Sequence, residues 1–253
     1  MTSTISAGAT VLAIGATGSI GRLVVDDLIR HGFAVRALVR DPSRARATLP
    51  DSVDLVRGDL ATGEGLADAV AAVDGIVFTH GGDPRTVDYE GVARLIDALG
   101  ESRPRIALMT SMSVSVGSDV YGGVLHWKRR SERLVRAAGL PHTIVRPGWF
   151  DNETADQTGL VLEQGDATPL NDRRGVARVD IARTLVASLT SDAATDVTLE
   201  LFAAPGAKPS DWAAAFAALD KDDAEALAGA HDAGVALADE PDEVLADIDR
   251  LRG

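Results

Sequence analysis

Short apolar runs and amphipathic stretches alternate along the first two-thirds of the chain. Residues 10–14 (Thr-Val-Leu-Ala-Ile) are almost continuously apolar and stop at Gly15, the pattern of a strand buried on both faces. Residues 20–31 follow with Leu23, Val24 and Leu28 at helical spacing, and Gly32 ends the run. Residues 34–39 and 53–56 read as the second and third strands, 66–73 as the second helix and 75–79 as the fourth strand. A helix over 87–99, a strand over 106–110, a helix over 124–138 closed by Gly139, and a strand over 142–145 continue the alternation. Past Pro147 the regularity weakens, although 180–189 reads as a helix with Asp180 near its N-cap and 197–202 as a last strand. Strands alternating with helices build βαβ units. The expected fold is therefore α/β, a Rossmann-type doubly wound parallel sheet with helices on both faces.

Pro205-Gly-Ala-Lys-Pro209 reads as a turn or linker, and the Ala/Asp/Glu/Leu-rich stretch after it as helices broken at Gly229, Gly234 and Pro241. This divides the chain into residues 1–204, the sheet domain with substrate-side segments from about 148, and 205–253, a small C-terminal helical cap in the same compact unit. The chain has 253 residues, 45% of them hydrophobic, enough for one such unit.

A net charge of −13 repels nucleic-acid phosphates and anionic membranes, so neither is an expected partner. Any anionic ligand must be held by a local cluster of amides and arginines. With no cysteine, disulfides, thiolate metal sites and cysteine nucleophiles are excluded, and none of the histidines falls at ligand spacing with carboxylates, so no metal site is expected. The N-terminal residues lack the pattern of a signal peptide, and no apolar run approaches the roughly 18–20 residues of a membrane span. The expectation is a cytoplasmic protein acting on a small molecule, with homo-oligomerisation left open.

Candidate chemistry begins at the first turn. Gly15-Ala16-Thr17-Gly18-Ser19-Ile20-Gly21 joins the first strand to the first helix. Glycines there allow a tight turn, close backbone approach to a diphosphate and helix packed near strand, while the helix N-terminus offers free N–H groups to the phosphates. In this strand–turn–helix setting the loop reads as a dinucleotide site. The end of the second strand bears on which dinucleotide. An acid there would meet the ribose hydroxyls of NAD, and an arginine the extra phosphate of NADP. Arg40 directly follows the strand, Asp41 comes one residue late, and Arg44 lies one helical turn further. NADP(H) is favoured and NAD(H) remains open, since Arg40 would equally pair with Asp41 or another surface acid.

With these residues in hand, the chain resembles the atypical short-chain dehydrogenase/reductase group, in particular the NmrA-like NAD(P)-binding proteins. The resemblance rests on the glycine loop, Val35-Arg-Ala-Leu-Val-Arg40-Asp-Pro, Gly58-Asp59-Leu60 and Gly139-Leu-Pro-His-Thr-Ile-Val-Arg-Pro-Gly148, and it covers about residues 9–203. It implies that Asp59, with Leu60, meets the adenine. It also implies that Thr79, His80 and Gly81 line the cofactor, and that the segment from Pro147 lies near the nicotinamide.

Short-chain dehydrogenases pair a serine with a tyrosine and lysine four apart, the lysine lowering the tyrosine pKa. Here Ser111 ends the fifth strand and Lys128 sits on the following helix. Lys128 falls on the less polar stripe of Val124, Ser131, Val135 and Ala138, which points it toward the sheet and the cofactor ribose. Val124, however, occupies the tyrosine's place. Tyr121, one turn earlier, is one substitute. Another is Lys128 acting alone, and a third is a flavin- or quinone-like substrate that takes its proton from water. Each candidate also has a plainer role. Lys128 would pair with Glu132 on the surface, Ser111 would form a turn, and His80 would be incidental. Trp149 and Phe150 wall a substrate pocket or pack in the core. The leading expectation is an NADP(H)-dependent oxidoreductase. The alternatives are a non-catalytic dinucleotide sensor and an epimerase or dehydratase.

Overall fold

The computed structural model describes residues 4–116 and 123–252. The chain opens with β1 (Thr10–Ile14), α1 (Gly21–Arg30), β2 (Ala34–Val39), a short α2 (Pro42–Arg46), β3 (Asp54–Arg57), α3 (Leu66–Val70) and β4 (Gly75–Phe78). A π-helical segment, Pro84–Tyr89, runs directly into α4 (Glu90–Leu99), followed by β5 (Arg105–Met109), α5 (Val124–Ala137) and β6 (His142–Pro147). Beyond it come β7 (Trp149–Phe150), β8 (Gly159–Glu163), β9 (Gly175–Val176), α6 (Arg178–Leu189), β10 (Val197–Ala204), α7 (Trp212–Ala217) and α8 (Asp242–Arg252).

Eight strands form one sheet in the order β3-β2-β1-β4-β5-β6-β10-β8. All neighbours pair in parallel except β8, which runs antiparallel to β10 at the edge. The doubly wound reading holds, and the strand order reverses between β1 and β4, where ligands of such sheets bind. One face is covered by α1, α6 and α7 through Val24, Leu28, Ile181, Leu185 and Phe216. The other is covered by α3, α4, α5 and α8 through Leu66, Leu95, Leu134, Val244 and Ile248. Burial on both sides explains why β1, β4 and β5 read as unbroken apolar runs.

Three features depart from the sequence reading. The edge strand β8 and the small β7–β9 pair were not anticipated. The expected helical cap is helical at α7, α8 and a single 3-10 turn, Leu237–Asp239; most of 218–241 is turns and irregular backbone. Asp223 accepts the N–H groups of Glu225 and Ala226, a local turn that competes with helix in an otherwise helix-favouring composition. Third, α6 begins at Arg178, so Asp180 lies inside its first turn, buried and paired with Lys208.

α8 lies along α5, and the stretch before it meets the segment after β5, where the Val235 N–H donates to the Ser115 carbonyl at 3.2 Å. Glu240, just before α8, takes Arg129, Arg130 and Arg133 of α5 at 2.8–3.0 Å, and all four side chains are largely buried. A second buried network lies between α5, β6 and β10. The Arg146 guanidinium meets Glu132 at 2.7 Å, Asp232 at 2.8 Å and Glu200 at 3.1 Å. Glu132 also accepts from the Thr110 hydroxyl at 2.6 Å. Burial alone would push the Glu132 carboxyl up, but Arg146 and Arg136 hold it below the usual range. Glu200 goes the other way, raised to about 7 by burial and by nearby Asp166 against the pull of Arg146. Three carboxylates share one guanidinium there.

Candidate cofactor cleft and active site

A cleft of about 960 Å³ opens at the carboxyl edge beside the β1/β4 reversal. Of the residues expected to hold a cofactor, Gly15, Thr17, Gly18, Arg40, Asp59, Leu60, Thr79, His80 and Gly81 line it, and Lys128 is not among its lining residues. Ile20 is buried beneath the loop, Pro147 is buried at the end of β6, and Ser19 is exposed beside the cleft. Gly21 begins α1. Asp41, Arg44, Thr48, Gly82, Asp83 and Val87 complete much of the wall; of these, only Asp41 and Arg44 had drawn notice in the sequence.

The backbone dictates the glycines. Gly15 has φ +82°, and a Cβ there would come within 2.7 Å of the His80 nitrogen, so any side chain would both strain the turn and force β1 and β4 apart. A Cβ on Gly21 would overlap the Gly15 carbonyl oxygen. The helix is thus drawn tightly against the strand end. The N–H groups of Ser19, Ile20 and Gly21 take no partner among the described residues, and the Ile20 N-cap position supplies no side-chain cap. Free amides at the positive end of a ten-residue helix form an anion cradle.

At the end of β2 the acid and the arginines separate. Asp41 caps α2, accepting the Arg44 N–H at 3.1 Å. Arg40 makes no ion pair among the described residues, so its pairing with Asp41, one of the plainer alternatives, is not what the structure contains. Asp59 lines the cleft while its Oδ1 accepts the Ala61 N–H at 2.9 Å.

Beyond the phosphate loop the π-helical segment carries Asp88 inward, and Lys128 of α5 meets it at 3.0 Å. The surface pair of Lys128 with Glu132 is therefore absent: Glu132 is fully buried on Arg146, and Lys128 is 16% exposed. Spacing of four suggested the pair, but the two side chains leave the helix toward different partners. His80 Nε2 lies 3.6 Å from Asp88 Oδ1, and its ring meets Phe78 edge-on. His80 Nδ1 and Asp88 Oδ1 are buried without a hydrogen-bond partner in the structure. Burial, and then the charge of Lys128, lower His80 to about 3, so it is a neutral ring at any physiological pH. Burial raises the Asp88 carboxyl, with Lys128 opposing it.

Ser111 follows β5 as expected, but its hydroxyl donates to the Met112 carbonyl at 3.1 Å, the turn-forming role. Tyr121 lies outside the described residues. Trp149 and Phe150 are 36% and 41% exposed, which removes core packing as their role. Among the described residues no group of three or more His, Cys, Asp or Glu side chains is arranged to hold a metal ion, and no helix is long and apolar enough to cross a membrane.

Residues 15–192 match the family model described as NAD(P)H-binding. The chain belongs to this NAD(P)H-binding family. Its relatives include an enzyme of Streptomyces griseus named (4-alkanoyl-5-oxo-2,5-dihydrofuran-3-yl)methyl phosphate reductase, 34% identical over 71% of this chain and 63% of that one. A Bacillus subtilis protein named as an uncharacterized sugar epimerase, YhfK, is 30% identical over 74% of this chain and 93% of its own length. The chloroplast protein TIC 62 of Pisum sativum is 27% identical over 57% of this chain, which spans only 33% of that longer protein. Among solved structures, the anaerobilin reductase ChuY of Escherichia coli O157:H7 superposes with a TM-score of 0.65 at 22% identity, covering 80% of this chain and all of that one. That last likeness speaks for the fold. The family thus includes proteins named as reductases and as epimerases, built on an NAD(P)-binding Rossmann frame.

Proposed function

We propose that this protein is an NADP(H)-dependent oxidoreductase of the atypical short-chain type, acting on a small organic substrate. The observation that carries the reading is Arg40, exposed at the end of β2 on the wall of the cleft and left without an internal acid. In this reading Arg40, with Arg44 nearby, holds the 2′-phosphate that distinguishes NADP from NAD. The free amides of Ser19 to Gly21 hold the diphosphate, Asp59 and Leu60 flank the adenine, and Thr79 to Gly81 form the wall toward the reactive end. The glycine cradle, which any Cβ would fill, fits such a ligand. When bound, the nicotinamide supplies or accepts a hydride.

The chain's own task is then to move a proton. Lys128, held by Asp88 at 3.0 Å, is the group we assign to it, giving or taking the proton at Nζ. Asp88 fixes its direction. His80, neutral, serves as a hydrogen-bonding wall and not as an acid. The name of the Streptomyces relative, a reductase, supports an organic hydride acceptor.

A second reading, a dinucleotide sensor without turnover, is favoured by Val124 in the tyrosine's place and by the Ser111 hydroxyl turned onto its neighbour's carbonyl. Calorimetric titration with NADPH and NADH, beside Arg40→Ala, tests the cofactor. The expected result is at least tenfold preference for NADPH, a difference of about 1.4 kcal/mol, that collapses in the variant. Equal binding of both, untouched by the substitution, overturns the phosphate assignment. NADPH consumption with a panel of quinones, flavins and enones then separates enzyme from sensor.

A further inference from the structure

Arg178 stands where nothing in the sequence pointed to a ligand. It opens α6, and α6 packs along α1, so the start of one helix meets the loop that precedes the other. Its Nε donates to the Ser19 hydroxyl at 3.2 Å, and its backbone N–H donates to Asp151 Oδ1 at 3.1 Å. Its Nη1 pairs with Asp151, and its guanidinium carbon lies 5.2 Å from the centroid of the Phe150 ring. The side chain is nonetheless 34% exposed, and Asp151 48%.

An ion pair that open contributes little to stability. An anion arriving there therefore takes the guanidinium over at little cost in broken contacts. Ser19 belongs to the loop whose amides are free, and those amides offer only partial charge, about half a unit at a helix end. A diphosphate carries two full negative charges. Arg40 and Arg44 lie beyond β2, and Lys128 is tied to Asp88. The formal cation in contact with the loop's own side chain is Arg178.

We propose that Arg178 binds the diphosphate bridge of the dinucleotide and that Asp151 competes with that bridge for it. The assignment rests on the dinucleotide reading above, and it adds a contact from a segment 159 residues downstream of Ser19. Arg178 is a binding residue here, with no part in proton transfer.

Titration of NADPH, NADH and adenosine 2′-phosphate into wild type, Arg178→Ala, Asp151→Asn and Arg40→Ala tests it, with thermal melts to verify folding. Arg178→Ala is expected to weaken both dinucleotides about tenfold and leave adenosine 2′-phosphate, which lacks the bridge, unchanged. Arg40→Ala is expected to show the converse pattern, weakening NADPH and adenosine 2′-phosphate and sparing NADH. Asp151→Asn keeps the acceptor for the Arg178 N–H and tolerates the left-handed backbone at φ +54°. By removing the competing charge it should tighten both dinucleotides a few-fold, which a mere latch between α1 and α6 would not do. A folded Arg178→Ala protein that binds both dinucleotides as wild type does, or that loses adenosine 2′-phosphate equally, overturns the assignment. So does an Asp151→Asn protein with unchanged affinity. Wild-type protein that binds neither dinucleotide removes the parent reading and this one with it, a result distinct from undiminished binding in Arg178→Ala alone.

Discussion

Arg40 and Arg146 are the same residue type, at the ends of β2 and β6, in opposite circumstances. Arg146 is buried, and three carboxylates converge on it within 3.1 Å. Arg40 is exposed and meets no carboxylate among the described residues, its neighbour Asp41 being committed to a helix cap. In the first region the protein has satisfied its own charge, and breaking the arrangement leaves buried ions without partners. In the second it has left charge and amides unsatisfied where water, or a ligand, can reach them. Buried networks of this kind are poor ligand sites because every donor is already used, whereas the cleft keeps its donors free at the cost of contributing little to stability.

Substitutions should separate the two regions. The largest effect is expected from Arg146→Met, which strips Glu132, Glu200 and Asp232 of their shared cation. A loss of about 3–5 kcal/mol in denaturant unfolding is expected, as for a broken buried pair. A variant as stable as wild type would show that the network relaxes or hydrates freely. Next is Glu200→Gln. The Glu200 carboxyl is raised from its ordinary 4.5 to about 7, so its protonated form is the one that suits the fold. Any stability tied to it is present at acidic pH and drains away as pH rises from about 5 through about 7. The variant should therefore gain on wild type over that window, by on the order of 2 kcal/mol, with the difference closing below pH 5. Parallel stability–pH curves for the two proteins would sink this assignment. Arg40→Ala comes third, with the affinity loss of about 1.4 kcal/mol for NADPH already described and an unchanged melting temperature. The smallest effect belongs to Ser111→Ala, whose hydroxyl makes one local bond. Less than about 0.5 kcal/mol in stability is expected, with turnover kept where Lys128 carries the proton; a collapse of turnover would restore serine to the catalytic set.

The contrast also explains what could be read from the chain. The glycine turn after β1, the place of Arg40 at the end of β2 and the strands around them were legible because their physics is local: glycines at fixed intervals, an apolar run ending in a turn, an arginine one residue past a strand. The plainer alternative of a Lys128–Glu132 pair fails because spacing describes a solvated helix, whereas Glu132 answers to Arg146 on β6, 14 residues on. Asp88 is brought to Lys128 from the π-helical segment before α4, and Arg178 reaches Ser19 from α6; no periodicity announces such meetings. β8 escaped notice because it is a five-residue, half-exposed edge strand. The stretch after α7 looked helical by composition until Asp223 is seen to turn the backbone on itself. Pattern reports the layers; long-range polar contacts place the chemistry.

The clasp of Glu240 on three arginines of α5 has a consequence for biosynthesis. Arg129 is separated from Glu240 by 111 positions, and every strand from β6 to β10 is made in between. As the chain emerges in order, Arg129, Arg130 and Arg133 of α5 precede the carboxylate that all three share. The clasp on α5's outer face can close only once residue 240 has been made, so that contact belongs to the late part of a chain folding as it emerges.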